Sequence, residues 1–148
     1  MKALMFSILI AMSVSVLAQE KVTSFRGWDW GISFDDVSNQ LKPADTKTTF
    51  GMKPFNKIDE ELSFEGIEVD NIIYLFKRNT FVAATVAMHN DNLENIVAIF
   101  TSKYGEPTVT DAFVLTNYEW HIPTADIAIT HLPSGGGGIG TSVQIKGK

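Results

Sequence analysis

The clearest pattern of hydrophobic positions along the chain is helical and falls between residues 93 and 104. The apolar residues recur every three or four positions, which places them along one side of an α-helix: Leu93, Ile96, Val97, Phe100 and Tyr104. Asp91, three residues before Glu94, is typical of a capping box at the helix start, and Gly105 with Pro107 marks its end. The pattern predicts a helix that packs this apolar stripe against a sheet.

A second, shorter helix is predicted near residue 34. Ser33 is a suitable cap because its hydroxyl accepts a backbone N–H, and Asp35 and Asp36 suit the positive end of the helix dipole. Pro43 disfavours helical geometry at the residue before it, so we expect this helix to end near Leu41.

Elsewhere the apolar residues alternate with polar ones or form short runs of strand-forming residues, and both patterns predict β-strands. Six segments show them: 61–65, 70–77, 81–88, 113–121, 126–132 and 141–146. The order of elements is α-βββ-α-βββ. We therefore predict an α+β fold in which two helices pack on one face of an antiparallel sheet of about six strands. Whether the two α-βββ units form one sheet or two is open at this point.

The first 18 residues have the pattern of an export signal. The segment starts with a basic Lys2, continues as an apolar run with small serines, and ends in Val16-Leu17-Ala18, which suits a signal peptidase. The run is shorter than the roughly 20 apolar residues that cross a bilayer, which favours cleavage after Ala18 over an uncleaved anchor. We expect residues 1–18 to be a signal peptide and residues 19–148 to form a single domain in the periplasm or outside the cell.

Charge and composition exclude several classes of partner and site. Without residues 1–18 the chain has 11 basic and 17 acidic residues, a net charge of −6. The only adjacent basic pair is Lys77-Arg78, so the chain lacks the row of Lys and Arg that nucleic acid or anionic lipid requires. The absence of cysteine excludes disulfides, thiolate metal sites and a cysteine nucleophile. We predict a protein partner in the cell envelope, no nucleic acid and no stable membrane anchor.

Two segments carry a resemblance to known proteins. The stretch Arg26-Gly-Trp-Asp-Trp-Gly-Ile-Ser-Phe-Asp-Asp-Val resembles the opening of small exported bacterial α+β domains, and Lys103-Tyr-Gly-Glu-Pro is similar to a helix ending in the same group. The predicted arrangement also resembles beta-lactamase-inhibitor-like proteins and the small outer-membrane assembly lipoproteins. Those lipoproteins carry an N-terminal cysteine, whereas Gln19 follows the predicted cleavage site here. The resemblance implies a binding or inhibitory module rather than an enzyme.

The sequence contains no motif that names a reaction, a cofactor or a metal. His121 and His131 fall on neighbouring predicted strands at a spacing that does not let both lie within about 2 Å of one metal ion. The glycine-rich run 135–140 matches a dinucleotide motif in spacing, but a strand follows it where that motif requires a helix. We therefore predict no catalytic residue, no metal site and no cofactor, and interpret the run as a flexible connection.

Acidic and aromatic residues suggest a surface for a partner. Six acids fall between residues 59 and 70, either as solvated charges on a sheet edge or as a surface for a basic partner. Aromatic residues occupy alternate positions at 28 and 30, where one ring in the core is expected, and again at 118 and 120. Because tryptophan is enriched at interface centres, the candidate partner surface consists of Trp28, Trp30, Glu61, Glu65, Glu68, Tyr118 and Trp120.

These patterns favour an exported soluble binding module that acts through a protein surface, as an inhibitor or an immunity-type partner, without catalysis. The alternative is a periplasmic binder of a small molecule or an envelope component, which would use a groove on the sheet. An exposed patch would favour the first function, and clustered aromatic residues around an open pocket would favour the second.

Overall fold

The computed structural model describes residues 19–47, 50–133 and 139–148, and within them the chain is mainly β. Twelve strands are present there: β1 Ser24–Phe25, β2 Trp28–Asp29, β3 Leu41–Pro43, β4 Lys53–Lys57, β5 Ser63–Phe64, β6 Ile67–Glu68, β7 Asn71–Lys77, β8 Thr80–His89, β9 Thr108–Ala112, β10 Leu115–Ile122, β11 Ala125–His131 and β12 Ile139–Gly147. Two α-helices accompany them, α1 Phe34–Val37 and α2 Leu93–Tyr104.

Eight of these strands form one antiparallel sheet in the order β3-β4-β7-β8-β12-β11-β10-β9. The sheet consists of two four-stranded halves, which meet where β8 pairs with β12. In each half the chain runs from an outer strand towards the centre, and one helix precedes each half. The two predicted units therefore share one sheet. The remaining strands form two small hairpins, β1-β2 and β5-β6.

One face of the large sheet carries the core. Buried and partly exposed residues alternate along β7 and β11, because successive side chains of a strand point to opposite faces. The buried side chains of both halves join in a single hydrophobic cluster. The two hairpins and α2 cover this face with Phe25, Trp28, Phe64, Ile67, Ile96 and Phe100.

The structure confirms α2 over the residues that its apolar stripe predicts. Ile96 and Phe100 are fully buried, whereas Leu93, Val97 and Tyr104 are half-buried. The stripe is therefore wider than the part of the helix that the core covers. Some of its apolar surface stays accessible on one side of α2.

The two ends of α2 differ in how well the sequence predicts them. Gly105 ends the helix with a positive φ of 88°, as expected. The predicted capping box is wrong, because Asp91 lies in a 3₁₀ turn, Asn90–Asn92, that leads into the helix. In that turn the Asp91 N–H donates to Nδ1 of His89.

The first helix is much shorter than predicted. Ser33 caps it as expected, since its Oγ accepts the Asp35 N–H at 3.3 Å, but α1 ends at Val37. A 3₁₀ turn, Ser38–Gln40, follows, and Leu41 begins β3. The turn contains no apolar residue that a longer helix would bury, and short helices gain most of their stability from such burial.

The predicted α+β fold, with two helices on a sheet of about six strands, is therefore wrong. The first helix is a single turn, and the sheet has eight strands. Strands β3 and β4 each contain a proline, and β9 is exposed at every residue, so none of the three shows an alternating pattern. Segment 61–65, predicted as a strand of this sheet, instead contributes β5 to a separate hairpin.

Two predictions fall outside the described residues: the export signal at residues 1–18 and the glycine-rich connection at 135–138. Within the described part of the chain, neither helix combines the length and the apolar character needed to span a lipid bilayer.

Candidate functional site

Trp28 in strand β2 and Trp30, one residue after that strand, lie at different depths. The Trp28 ring is buried and packs against Tyr74 with ring centroids 5.0 Å apart. Trp30 is half-buried, and its ring packs on Phe81 at 5.0 Å. Its indole N–H donates to the backbone oxygen of Val22 at 3.0 Å. Trp28 therefore belongs to the core, and Trp30 keeps part of its ring accessible.

The two aromatic residues of β10 differ in the same way. Trp120 is buried against Phe100 with ring centroids 5.7 Å apart, and its indole N–H donates to the carbonyl oxygen of Gly105 at 2.7 Å. This hydrogen bond ties the end of α2 to the sheet. Tyr118, two residues earlier on the same face, is half-buried and borders a groove beside α2. Of the four predicted aromatic residues, Trp30 and Tyr118 reach the surface.

The acidic segment is organised around Glu60, whose side chain is only 8% exposed. One Glu60 oxygen accepts from Nε of Arg26 at 2.7 Å, and the other accepts from the hydroxyl of Tyr74 at 2.8 Å. Burial, and next the Glu60 carboxylate, raise the pKa of Tyr74 well above its usual range. Arg26 also donates to the backbone oxygens of Ser63 and Glu61. The network holds this segment against hairpin β1-β2.

The predicted acidic surface residues Glu61, Glu65 and Glu68 do not form one patch, because one of them is paired with a lysine and the other two are exposed. Lys103 of α2 lies 2.9 Å from both carboxylate oxygens of Glu65, which links the β5-β6 hairpin to α2. Glu61 and Glu68 are exposed. The hairpin that carries Glu65 and Glu68 is separate from the large sheet, so these charges do not protect an edge of that sheet.

A cleft of about 450 Å³ opens between the segment before β1 and helix α2. Three cations, Lys21, Arg26 and Lys103, line it together with Tyr104. Arg26 and Lys103 are already paired with carboxylates of the chain, so neither cation is available to hold an anionic ligand. Burial and the negative charges of Glu20 and Glu65 raise the pKa of Tyr104 to about 12, which keeps its hydroxyl neutral in this cleft.

The histidines of β10 and β11 point to opposite faces of the sheet. The register pairs His121 with Asp126, and His131 lies five residues beyond Asp126. Nδ1 of His121 is 2.9 Å from Asp126, and Nζ of Lys148 is 3.1 Å from the same carboxylate. The hydrogen bond from His121, and then Lys148, hold the pKa of Asp126 below its usual range. Among the described residues, no three His, Cys, Asp or Glu side chains are placed to hold a metal ion.

The two edge strands of the large sheet differ in their protection. Strand β3 has three residues and contains Lys42 and Pro43, both of which discourage pairing with another strand. Strand β9 has five residues, contains neither lysine nor proline, and is exposed at every position. Within the described part of the chain β9 pairs only with β10. Its outer side therefore presents unpaired backbone N–H and C=O groups to solvent.

The turn that joins β9 to β10 exposes two adjacent apolar residues. Phe113 is fully exposed and adopts a φ of 50°, and Val114 is 60% exposed. Val109, on β9 itself, is 52% exposed. Three of the seven large apolar side chains that the described residues expose thus lie between residues 109 and 114. We call strand β9 together with Phe113 and Val114 the β9 edge.

A groove of about 630 Å³ lies beside α2; it is lined by Leu93, Glu94, Val97, Ala98, Thr101, Ser102 and Tyr118. Tyr118 pairs with Val109 in the register of β10 and β9, so both side chains lie on the same face of the sheet. The groove, called the α2 groove below, is the accessible side of the helix stripe.

No pattern in the sequence predicts the β9 edge. Phe113 and Val114 are strand-forming residues and are predicted as the start of a strand, whereas the structure places them in a turn. The available signal is the β-branched run Thr108-Val109-Thr110 after Pro107, which is typical of a strand.

Comparisons with known proteins do not assign a function to this surface. No family model matches the chain, and neither a curated protein nor a solved structure is similar to it.

Proposed function

We propose that the chain is an exported protein-binding module of inhibitor or immunity type, which acts without catalysis and binds its partner through the β9 edge. The observation that carries the proposal is the coincidence of an unprotected edge strand with exposed apolar side chains at one end of the sheet. Contiguous exposed apolar surface is typical of interaction sites, and an unpaired edge is a template for another chain.

The alternative, binding of a small molecule or an envelope component, would use the cleft between the segment before β1 and α2. Two of its cations, Arg26 and Lys103, are committed to carboxylates of the same chain. The β9 edge instead leaves both backbone groups and apolar side chains without a covering element in the described structure. The contrast favours a protein partner over a small ligand.

The test is affinity capture from an envelope extract of the producing cells, with three baits. One bait is the unchanged mature chain, the second carries Phe113→Ser, and the control carries Phe50→Ser. The two phenylalanines match closely: Phe50 is 88% exposed and has a φ of 51°, but it lies before β4, outside the β9 edge. Both substitutions should leave the melting temperature unchanged, because neither side chain is buried.

The proposal predicts that Phe113→Ser reduces recovery of the partner about tenfold or more, as removal of a central aromatic contact does at other interfaces. Phe50→Ser should recover the partner as the unchanged chain does. Equal recovery with all three baits, or no partner with the unchanged chain, would contradict the proposal. Export is tested in the same envelope extract, because the chain that the producing cells export should have Gln19 as its N-terminal residue.

A further inference from the structure

We propose that the partner contributes an extended segment that pairs with β9 and becomes the ninth strand of the sheet. Its apolar side chains would face the α2 groove, and its basic residues would face the acidic groups around that groove. The inference rests on the proposed function, because it specifies how the β9 edge holds a protein. It adds the conformation and the charge of the bound segment.

Backbone geometry provides the first step. Adjacent strands lie about 4.8 Å apart, and every second side chain of a strand points to the same face. A strand added beside β9 therefore places alternate side chains on the face of Val109 and Tyr118. That face leads into the α2 groove, where Leu93 and Val97 are half-buried. A segment with apolar residues at alternate positions matches this surface.

Charge provides the second step. Glu94 lines the α2 groove, Asp111 lies on β9, and Glu106 is exposed just before β9. Lys103, the basic residue in the last turn of α2, is held by Glu65. The surroundings of the β9 edge are thus acidic, and lysine or arginine beside the apolar residues of the segment gives charge complementarity.

The same charges disfavour a second copy of the chain as the added strand. If β9 paired antiparallel with β9 of another copy around Thr110, Val109 of each copy would lie opposite Asp111 of the other. The two Asp111 carboxylates would then be diagonal neighbours on one face, within about 7–8 Å, where like charges repel. Without residues 1–18 each chain has a net charge of −6, which adds to this repulsion.

The experiment uses a blocked peptide of the sequence Lys-Lys-Val-Thr-Val-Thr-Val-Lys-Lys, titrated into the isotope-labelled mature chain and followed by amide NMR. The inference predicts shifts confined to β9, its turn and the α2 groove, together with slower hydrogen exchange of the outward β9 amides. Two further peptides carry backbone N-methyl groups, either on the three valines or on the two threonines. One pattern should abolish the shifts and the other should preserve them, because a peptide that runs antiparallel to β9 with its valines facing the groove presents only one of its edges to β9.

The role of charge is tested by reversing it in the chain and in the peptide. Glu94→Lys should weaken binding of the lysine peptide about tenfold, and it should strengthen binding of the same peptide with glutamate in place of lysine. The control Asp45→Lys, at an exposed position just after β3 on the opposite edge of the sheet, should change neither affinity. Equal effects of the two substitutions would contradict the proposed charge complementarity.

The outcomes separate the inference from the proposed function. If the lysine peptide leaves the β9 amides unshifted, or if both methylated peptides bind as well as the parent, strand addition is wrong. The proposed function still stands in that case if Phe113→Ser loses the captured partner. If sedimentation shows a dimer in which the outward β9 amides are already protected from hydrogen exchange and the peptide does not shift them, the β9 edge is occupied by a second copy, and the inference is also overturned.

Discussion

Tyr74 is the residue whose surroundings most strongly constrain its protonation. Its ring contacts Phe25, Trp28 and Phe81, and its hydroxyl donates to Glu60. Ionisation would place a second negative charge beside Glu60 in a buried site, so burial and the carboxylate both raise the pKa of Tyr74. A pKa higher in the folded than in the unfolded chain stabilises the fold below the unfolded pKa. This contribution is lost as pH rises from there towards the folded pKa.

The corresponding prediction concerns alkaline pH. An unfolded tyrosine titrates near pH 10, so the free energy of unfolding should fall between pH 10 and 11 by about 1 kcal/mol more in the unchanged chain than in Tyr74→Phe. Urea unfolding at a series of pH values measures both slopes. Near pH 7 Tyr74 is neutral in both the folded and the unfolded chain. The unchanged chain and the variant should therefore show the same pH slope there, which is the control. Identical slopes above pH 10 would mean that Tyr74 ionises freely in the folded chain.

At the scale of the element, Gly105 determines how α2 ends. Its φ of 88° and ψ of −172° lie in a region that is essentially restricted to glycine. A Cβ at this position would meet no atom within 4 Å, so a substitution there changes backbone strain without a steric clash. The carbonyl of Gly105 also accepts the Trp120 indole N–H. The conformation of Gly105 therefore determines where α2 ends and also directs its carbonyl oxygen towards the sheet.

We expect Gly105→Ala to lower the free energy of unfolding by about 1–3 kcal/mol, the usual cost of a non-glycine residue in such a conformation. Ser102→Ala, at an exposed position in the same helix, is the matched control. It should be neutral or slightly stabilising, because alanine has the higher helix propensity. Urea unfolding monitored by circular dichroism compares the two variants. A Gly105→Ala chain as stable as the control would refute the strained helix end.

The same scale explains which elements the sequence predicts. Helix α2 is predictable because one side of it is buried, and β7, β8, β10, β11 and β12 because a half-covered strand leaves a regular pattern. Strand β9 leaves none, since it is exposed on both faces. The sequence places four aromatic residues in one candidate surface. It does not distinguish Trp30 and Tyr118, which reach the surface, from Trp28 and Trp120, which are buried. The β9 edge is not, because only the pairing of strands far apart in the chain makes β9 the outermost strand.

At the scale of the whole molecule, the two halves of the sheet share one core. Val86 of β8 and Val143 of β12 lie opposite each other where the halves meet, and both are fully buried. The hydrophobic cluster continues from Tyr74 in the first half to Trp120 in the second without a break. Unfolding of one half would expose core side chains of the other at this junction. Such a continuous core favours one cooperative transition.

We therefore expect residues 19–148 to unfold in a single step, with a calorimetric enthalpy equal to the van 't Hoff enthalpy. Tryptophan fluorescence reports on both halves, because Trp28 and Trp30 lie in the part before α2 and Trp120 lies in β10. Its midpoint in urea should coincide with that of circular dichroism. Val143→Ala should lower this shared midpoint, at a cost of about 2 kcal/mol for the lost methyl groups and the cavity, without dividing the transition. Two separate transitions in either chain would show that the halves are independent units joined at β8 and β12.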